Sequence, residues 1–174
     1  CRSDVLDLNS LMSDETPVFT TDSQSQLIRI VLNLETGEAS QEAITPADMI
    51  LEFPRTREDR MGLPSRFGYC SRFAAEHSLK VTSLVKIDLT GTVDNSVVGE
   101  IVFAPGRFGG ECSFVAKSTG EEDDGYLMVH VHDEVKGQSC LEIYDAKHMS
   151  PEPLARVTIP VRVPYGFHSS WVSA

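Results

Sequence analysis

The sequence predicts an all-β fold built from a repeat the size of a β-propeller blade. Strand-like segments with alternating apolar residues occur along most of the 174 residues. Three of them begin at Leu27, Leu84 and Leu141, so both intervals are 57 residues long. Only residues 45–48 and 72–77 are compatible with a helix, and both segments are short. Several short strands in each period of this length are typical of a four-stranded propeller blade.

The three repeated segments each have the pattern of a half-buried strand. In residues 27–34, the isoleucines and leucines at even positions share one face, and Glu-Thr-Gly-Glu then predicts a turn. Residues 84–91 repeat the pattern, with apolar residues at the odd positions 85, 87 and 89 and with Lys86 and Asp88 on the opposite, polar face. Residues 141–146 form a looser third copy.

Further strands are expected around these three. The predicted ranges are 49–53, 67–72, 97–104, 112–116, 126–132 and 154–161. Three periods of 57 residues account for nearly the whole chain, and propellers close with about four to eight blades. The sequence therefore predicts about three blades of an incomplete ring, while a β-sandwich with accidentally equal strand spacing is the alternative.

The chain starts with Cys-Arg-Ser-Asp, without an initiator Met, a signal pattern or a transit segment. We therefore expect an N-terminal portion to precede these residues in a longer protein. The expected location is intracellular, and the choice between plastid and cytosol depends on that portion.

Composition excludes several classes of function. The formal net charge is -11 and the pI is near 4.8, which argues against a nucleic-acid partner, because phosphates demand a surplus of Lys and Arg. No apolar run approaches the 18 or so residues of a membrane-spanning helix. The four cysteines have neither zinc-site nor disulfide-framework spacing, which favours reduced thiols.

Three local motifs suggest binding sites but favour simpler interpretations. His130 and His132 would point to one face of a strand, as metal-binding pairs do, but a solvent-facing or cross-strand role is favoured. Residues 121–125 are acidic but lack the spacing of a calcium loop, so an exposed turn is expected. Residues 107–111 form a glycine-rich turn without the Lys and helix of a phosphate loop.

Six motifs in order carry a resemblance to a known family. They are Leu-Glu-Phe-Pro-Arg (51–55), Pro-Gly-Arg-Phe-Gly-Gly-Glu (105–111), Glu-Asp-Asp-Gly-Tyr (122–126), Val-His-Asp-Glu (131–134), Asp-Ala-Lys (145–147) and Arg-Val-Pro-Tyr-Gly-Phe-His (162–168). The same motifs occur in the same order in the carotenoid cleavage oxygenase family, which the chain resembles along essentially its whole length. The resemblance implies that residues 1–174 are the C-terminal part of a single seven-bladed propeller domain.

The same resemblance implies an iron site. The family holds one non-haem Fe(II) on the propeller axis with four histidines, and His168 is similar to the last of these ligands. Glu52 and Glu111 match positions whose carboxylates hydrogen-bond ligating histidines and fix their orientation. An innermost strand would carry His168 to the axis, and Gly166 would allow close approach of the backbone. Phe53 and Phe167 are expected to line the apolar substrate tunnel.

The other three ligands have no counterpart in this chain. We therefore expect that the chain alone neither holds iron tightly nor catalyses a reaction, because one imidazole cannot chelate a metal. The chain also departs from the family motifs near the ligand: Ser169 stands where Gly is usual, and Cys112 and Ser113 replace a more frequent Pro after Glu111.

By resemblance, the whole enzyme would add O₂ across one double bond of a carotenoid or apocarotenoid and release two carbonyl products. Peripheral membrane contact would come from regions upstream of Cys1. A stilbene-cleaving relative and a non-cleaving isomerase remain alternatives on the same scaffold. A non-catalytic propeller module that binds a partner is the alternative from a different class.

Overall fold

A computed structural model of the chain describes residues 25–74, 80–117, 120–166 and 168–172. Within these ranges it contains strands and one short 3₁₀ turn, Glu58–Arg60, and no α-helix. The strands are β1 Ile28–Leu32, β2 Ala39–Ala43, β3 Leu51–Arg55, β4 Phe67–Phe73, β5 Val81–Asp88, β6 Val97–Val102, β7 Arg107–Phe108, β8 Cys112–Ala116, β9 Gly125–Asp133, β10 Gln138–Asp145 and β11 Ala155–Ile159.

The strands form two four-stranded antiparallel meanders and a hairpin. Strands β3, β4, β5 and β6 pair in chain order and make the first blade. In the second blade, β7 and β8 pair with successive parts of β9, so together they act as one interrupted first strand, followed by β9, β10 and β11. Strands β1 and β2 pair only with each other. This consecutive up-and-down pairing is the topology of propeller blades.

The 57-residue repeat corresponds to the blade period. Leu84 lies on β5 and Leu141 on β10, and each of these is the third strand of its blade. Leu27 directly precedes β1, so the hairpin has the sequence position of a third and fourth strand. The predicted strands therefore exist within a few residues of their expected bounds, although β2 and β7 were not predicted.

The larger of two core clusters lies between the two blades. One apolar cluster combines Phe53, Tyr69 and Leu84 of the first blade with Phe114 and Leu127 of the second. The rings of Tyr69 and Phe114 stack with a centroid distance of 5.3 Å. Because both faces of the interface share one cluster, each blade depends on the other for burial of its apolar side chains.

Two strands differ from the expected half-buried pattern. On β1 the face that carries Ile28 and Ile30 is exposed, at 41% and 61%. On β5 both faces are buried, and even Lys86 is only 4% exposed. The Lys86 ammonium lies 2.6 Å from Asp123 Oδ2 and donates to the carbonyl of Lys147, and these partners make burial of the charge tolerable.

The acidic loop before β9 was expected to be an exposed turn, and this was partly wrong. Asp123 is buried against Lys86, and Glu122 accepts hydrogen bonds from the backbone amides of Arg66 and Phe67 at 2.7 and 2.8 Å. The loop therefore ties the second blade to the first instead of facing solvent.

The cysteines agree with the expectation of free thiols as far as the structure describes them. Cys70, Cys112 and Cys140 are free and buried, and Cys1 lies outside the described ranges. Within those ranges, no helix has the length and apolarity needed to cross a membrane.

Candidate metal site

The backbone around Glu111 is shaped by the break between β7 and β8. At Gly109 a Cβ atom would come within 2.4 Å of the Phe103 ring, so only glycine allows this close approach. The carbonyl of Gly110 accepts a hydrogen bond of 3.0 Å from Ser71 Oγ on the first blade. The break therefore fixes the position from which Glu111 extends, and its side chain is only 4% exposed.

The buried carboxylate of Glu111 is held by two elements at once. Arg55 Nε, on the first blade, lies 2.9 Å from Glu111 Oε1. The backbone amide of Ser169 donates to Oε2 at 2.6 Å. Arg55 also donates to the carbonyl of Ser169 at 2.7 Å. A buried carboxylate needs such partners, since leaving it unpaired would cost several kcal/mol.

His168 lies beside this carboxylate. Its Nδ1 is 3.4 Å from Glu111 Oε2, while the imidazole is 79% exposed. A histidine whose Nδ1 faces a carboxylate has a fixed ring orientation and presents Nε2 outward, which is the arrangement found around metal-ligating histidines. In the described part of the chain, no group bonds to Nε2. The residue therefore fits the ligand role that the sequence predicts.

The structural element that carries His168 differs from the expectation. His168 belongs to no strand and lies in a segment that follows the end of β11 at Ile159. At Gly166, the nearest atom to an added Cβ is 3.9 Å away, so close approach does not explain that glycine. The innermost-strand argument was therefore wrong, because His168 lies on no strand. Glu111, which the sequence assigns to a ligating histidine without naming one, lies beside His168.

Phe53 lies at an irregularity in β3. The pairing register with β4 shifts between Glu52 and Arg55, and Phe53 has a φ of 56°, a value that bulky residues rarely adopt. Bulges and strained residues concentrate near functional sites, where they re-aim side chains. The Phe53 ring is buried and meets the His168 ring edge-on, with centroids 5.7 Å apart.

The other predicted site residues have different outcomes. Glu52 is half-buried on β3, and its Oε1 accepts a hydrogen bond from Ser25 Oγ. Its bond to a ligating histidine stays a prediction. Phe167 lies outside the described residues, so its tunnel role stays a prediction. Among the residues that the structure describes, no three His, Cys, Asp or Glu side chains are grouped to hold a metal.

A cavity of about 330 Å³ opens beside the site. Its lining includes Glu111, His168, Phe108, Tyr165 and both histidines of β9. His132 is buried and its Nδ1 pairs with Ser139 Oγ at 2.9 Å, while His130 is exposed. His132 therefore has the favoured cross-strand role, and His130 has the favoured solvent-facing role.

Tyr165 fixes the segment before His168. The Tyr165 hydroxyl donates to Glu134 Oε1 at 2.9 Å. Burial and this carboxylate raise the pKa of Tyr165 to about 12, so the phenol remains a donor at neutral pH. Lys80 and Tyr165 in turn hold the pKa of Glu134 below its usual range.

Arg55 and Ser169 were not predicted as site residues. Arg55 ends the motif at 51–55, and Ser169 departs from the family pattern. The sequence therefore drew attention to both residues but assigned a function to neither. Their contact joins residues 114 positions apart, which local sequence patterns cannot indicate.

Comparisons with known proteins identify relatives. A model of the retinal pigment epithelial membrane protein family matches residues 3–173. Carotenoid 9,10(9',10')-cleavage dioxygenase 1 of Arabidopsis thaliana is 37% identical, over 99% of this chain and 33% of that protein. A 9-cis-epoxycarotenoid dioxygenase of the same plant, named as chloroplastic, is 35% identical over 95% of this chain and 28% of that protein.

A solved structure shares the fold. A mutant of the Synechocystis apocarotenoid oxygenase superposes with a TM-score of 0.76 at 25% identity, over 87% of this chain and 31% of that one. Together with the blade topology, this likeness confirms the predicted all-β partial propeller. The chain spans about a third of the length of the relatives it matches.

Proposed function

The chain belongs to the retinal pigment epithelial membrane protein family, and we propose on this basis that it is the C-terminal part of a carotenoid or apocarotenoid cleavage dioxygenase. Residues 1–174 would then form part of one propeller domain. The substrates would be a polyene and O₂, and the products two carbonyl compounds. Relatives at 37% and 35% identity carry the names of such dioxygenases, which supports the class of reaction.

The arrangement of Glu111 and His168 is the observation that carries the proposal. Oε2 of a buried carboxylate lies 3.4 Å from Nδ1 of an exposed imidazole, so the ring is oriented with Nε2 outward. A surface histidine without a metal role would gain little from a partner that is costly to bury. We therefore assign His168 as one iron ligand and Glu111 as the group that orients it.

Iron would supply the activation of O₂, and the residues of this chain would prepare its site. His168 would contribute one neutral nitrogen ligand, and Glu111, whose Oε2 lies 3.4 Å from Nδ1, would accept from Nδ1–H and so fix the tautomer. Oε2 of Glu52 has no bonded partner within the described ranges, and we assign this oxygen to a histidine from outside the chain. Phe53 and Phe167 are assigned to the apolar wall along which the polyene lies.

The remaining partners follow from chemistry. The acidic net charge gives no support for nucleic acid binding. A polyene is nearly insoluble in water, so the enzyme would take it from a membrane by peripheral contact. An intracellular location, in plastid or cytosol, stays a prediction.

Metal analysis of the full-length protein tests this function. In His168→Ala, the iron content should fall and the cleavage rate should drop more than about 100-fold, since a ligand is lost. Glu111→Gln should weaken Fe(II) binding by about 10–100-fold, because the orienting carboxylate is replaced. His148→Ala is the control, since among the described residues this exposed histidine pairs with Asp145 alone. Iron is measured by mass spectrometry and carbonyl products by chromatography with ¹⁸O₂.

Four outcomes would contradict the proposal. Unchanged iron in His168→Ala would remove the residue from the site. Cleavage of stilbenes but not of carotenoids, or geometric isomerisation without ¹⁸O incorporation, would select a different activity on this scaffold. A full-length protein without iron would favour a module that binds a partner.

A further inference from the structure

Two serine hydroxyls meet beside the candidate ligand. Ser113 Oγ, on β8, lies 3.3 Å from Ser169 Oγ, although the two residues are 56 positions apart. Ser169 Oγ in turn donates to the main-chain carbonyl of Glu111 at 3.1 Å. Because that bond uses the proton of Ser169, the proton between the two serines belongs to Ser113. The hydrogen bonds therefore run from Ser113 to Ser169 to Glu111.

Ser169 is fixed by its backbone as well. Its amide donates to Glu111 Oε2 at 2.6 Å, and its carbonyl accepts from Arg55 at 2.7 Å. Glu111 is thus held by one residue at both its main-chain carbonyl and its carboxylate. This double attachment limits the rotation of the carboxylate that faces His168.

His168 needs this support because its own side chain has few contacts. The imidazole is 79% exposed, and it lies in a segment without strand pairing. Apart from the ring contact with Phe53 and the approach of Glu111, its position depends on the backbone of the next residue. A ligand must be held within fractions of an ångström to bind its metal well.

We propose that Ser113 and Ser169 are positioning residues, which hold Glu111 and His168 in the geometry that binds metal. This inference rests on the proposed function of His168. Both serines occupy positions at which the chain departs from the motifs it otherwise resembles. Their contact indicates that the two serines act together as one hydrogen-bonded pair.

A double-mutant cycle in the full-length protein tests the inference. The variants are Ser113→Ala, Ser169→Ala and the double variant. Ser65→Ala is the control, because the one bond of its hydroxyl within the described ranges goes to a carbonyl in a remote exposed loop. Ser169→Thr and Ser113→Thr keep the hydroxyl and should restore the wild-type behaviour. Unfolding measurements verify that each variant is folded.

The first measurement is amide hydrogen exchange at residues 168–170 of the metal-free protein. Loss of either hydroxyl should speed exchange of the Ser169 amide by about 5-fold, the effect of one typical hydrogen bond. The second is the Fe(II) dissociation constant by competition with a chelator. It should rise about 5–10-fold in each single variant and no further in the double variant, because both hydroxyls act through one chain of bonds.

The two measurements separate the two proposals. Unchanged exchange and unchanged Fe(II) affinity in Ser169→Ala would overturn the positioning role even if His168→Ala abolishes iron binding. Additive effects of the two serine substitutions would overturn the pairing. If His168→Ala instead leaves iron binding intact, the proposed function fails, and the exchange measurement still decides whether the serines hold Glu111.

Discussion

Glu111 and Glu142 are both buried carboxylates, and their surroundings suit them to different tasks. Glu111 divides its oxygens between Arg55 and the side that faces His168. Glu142, which is fully buried, accepts from Arg107 and Arg156 through Oε1 and from the Tyr144 hydroxyl through Oε2. Glu142 therefore has no oxygen left for a ligand, and its network stabilises the second blade.

Acid should weaken the Glu142 network. Burial raises its pKa, but hydrogen bonds from Tyr144, Arg107 and Arg156 outweigh this and hold the pKa below the ordinary 4.5. A lowered folded-state pKa contributes stability that is present above about pH 4.5 and is lost as pH falls through the folded value. At pH 7, Glu142→Gln should lose about 3–5 kcal/mol of unfolding free energy, because two arginines lose their partner.

The measurement is denaturant unfolding of the full-length protein between pH 7 and 3. The difference between wild type and Glu142→Gln should shrink as pH falls below about 4.5. Glu35→Gln, at an exposed turn, serves as the control. A difference that is constant with pH would show that the charge of Glu142 is not the stabilising feature.

At the scale of elements, the segment after β11 acts as a strap that runs from one blade to the other. Its amide at Val163 donates to Ser139 Oγ of β10 at 2.9 Å. Farther along, Tyr165 bonds to Glu134, which also pairs with Lys80 of the neighbouring blade at 2.7 Å. The strap is therefore fixed before it reaches His168, and its described residues form no ladder hydrogen bond with a strand.

Tyr165→Phe should loosen this strap. The ring remains while the bond to Glu134 is lost, so backbone exchange at residues 162–169 should speed up about 5-fold. If His168 binds iron as proposed, the cleavage rate should fall with little change in KM, because His168 is less well placed. Tyr126→Phe is the matched control, since the hydroxyl of Tyr126 has no bonded partner among the described residues. Equal exchange in wild type and Tyr165→Phe would contradict the role of the strap.

For the whole molecule, the shared core predicts that the two blades unfold together. Phe114 of β8 stacks on Tyr69 of β4, and its ring also lies so close to Gly125 that a Cβ there would approach it within 2.5 Å. Its removal would leave a cavity between the blades. A second, smaller core cluster, which includes Leu51, Val85 and Ile87, lies on the first blade, whereas the described residues of the second blade contribute only to the shared cluster.

Phe114→Ala should cost about 3–5 kcal/mol of unfolding free energy. Hydrogen exchange of peptides from β4 and from β10 reports each blade separately, and both should lose protection to the same extent. Val115→Ala, on the opposite face of β8, should have a much smaller effect. Loss of protection in β10 alone would mean that the blades are independent.

Much of the fold could be predicted from sequence because local residue patterns determine most of its strands. The leucines at 57-residue intervals mark the third strand of successive blades, and most strands begin within three residues of the prediction. Strand β2 was missed because Ala-Ser-Gln-Glu-Ala has no apolar alternation, and it forms by pairing with β1. The burial of Lys86 was missed because its partner, Asp123, lies 37 residues away.

The site was accessible from sequence only through the resemblance. Composition and spacing gave no reason to bring Glu111 near His168, and those residues meet because a strand break and a strap converge. The resemblance named the carboxylates but not Arg55 or Ser169, which depend on long-range contacts. Glu52 was named too, and its described partner is Ser25.

The burial of the cysteines has a consequence for oxidative damage. Cys112 directly follows Glu111, and Cys70 lies on a strand of the blade that carries Arg55. Burial raises the pKa of both thiols to about 12. At neutral pH both thiols are therefore protonated, and only the thiolate is the form that oxidants and alkylating agents attack. Burial thus keeps both of these thiols protonated and chemically inert while the chain remains folded.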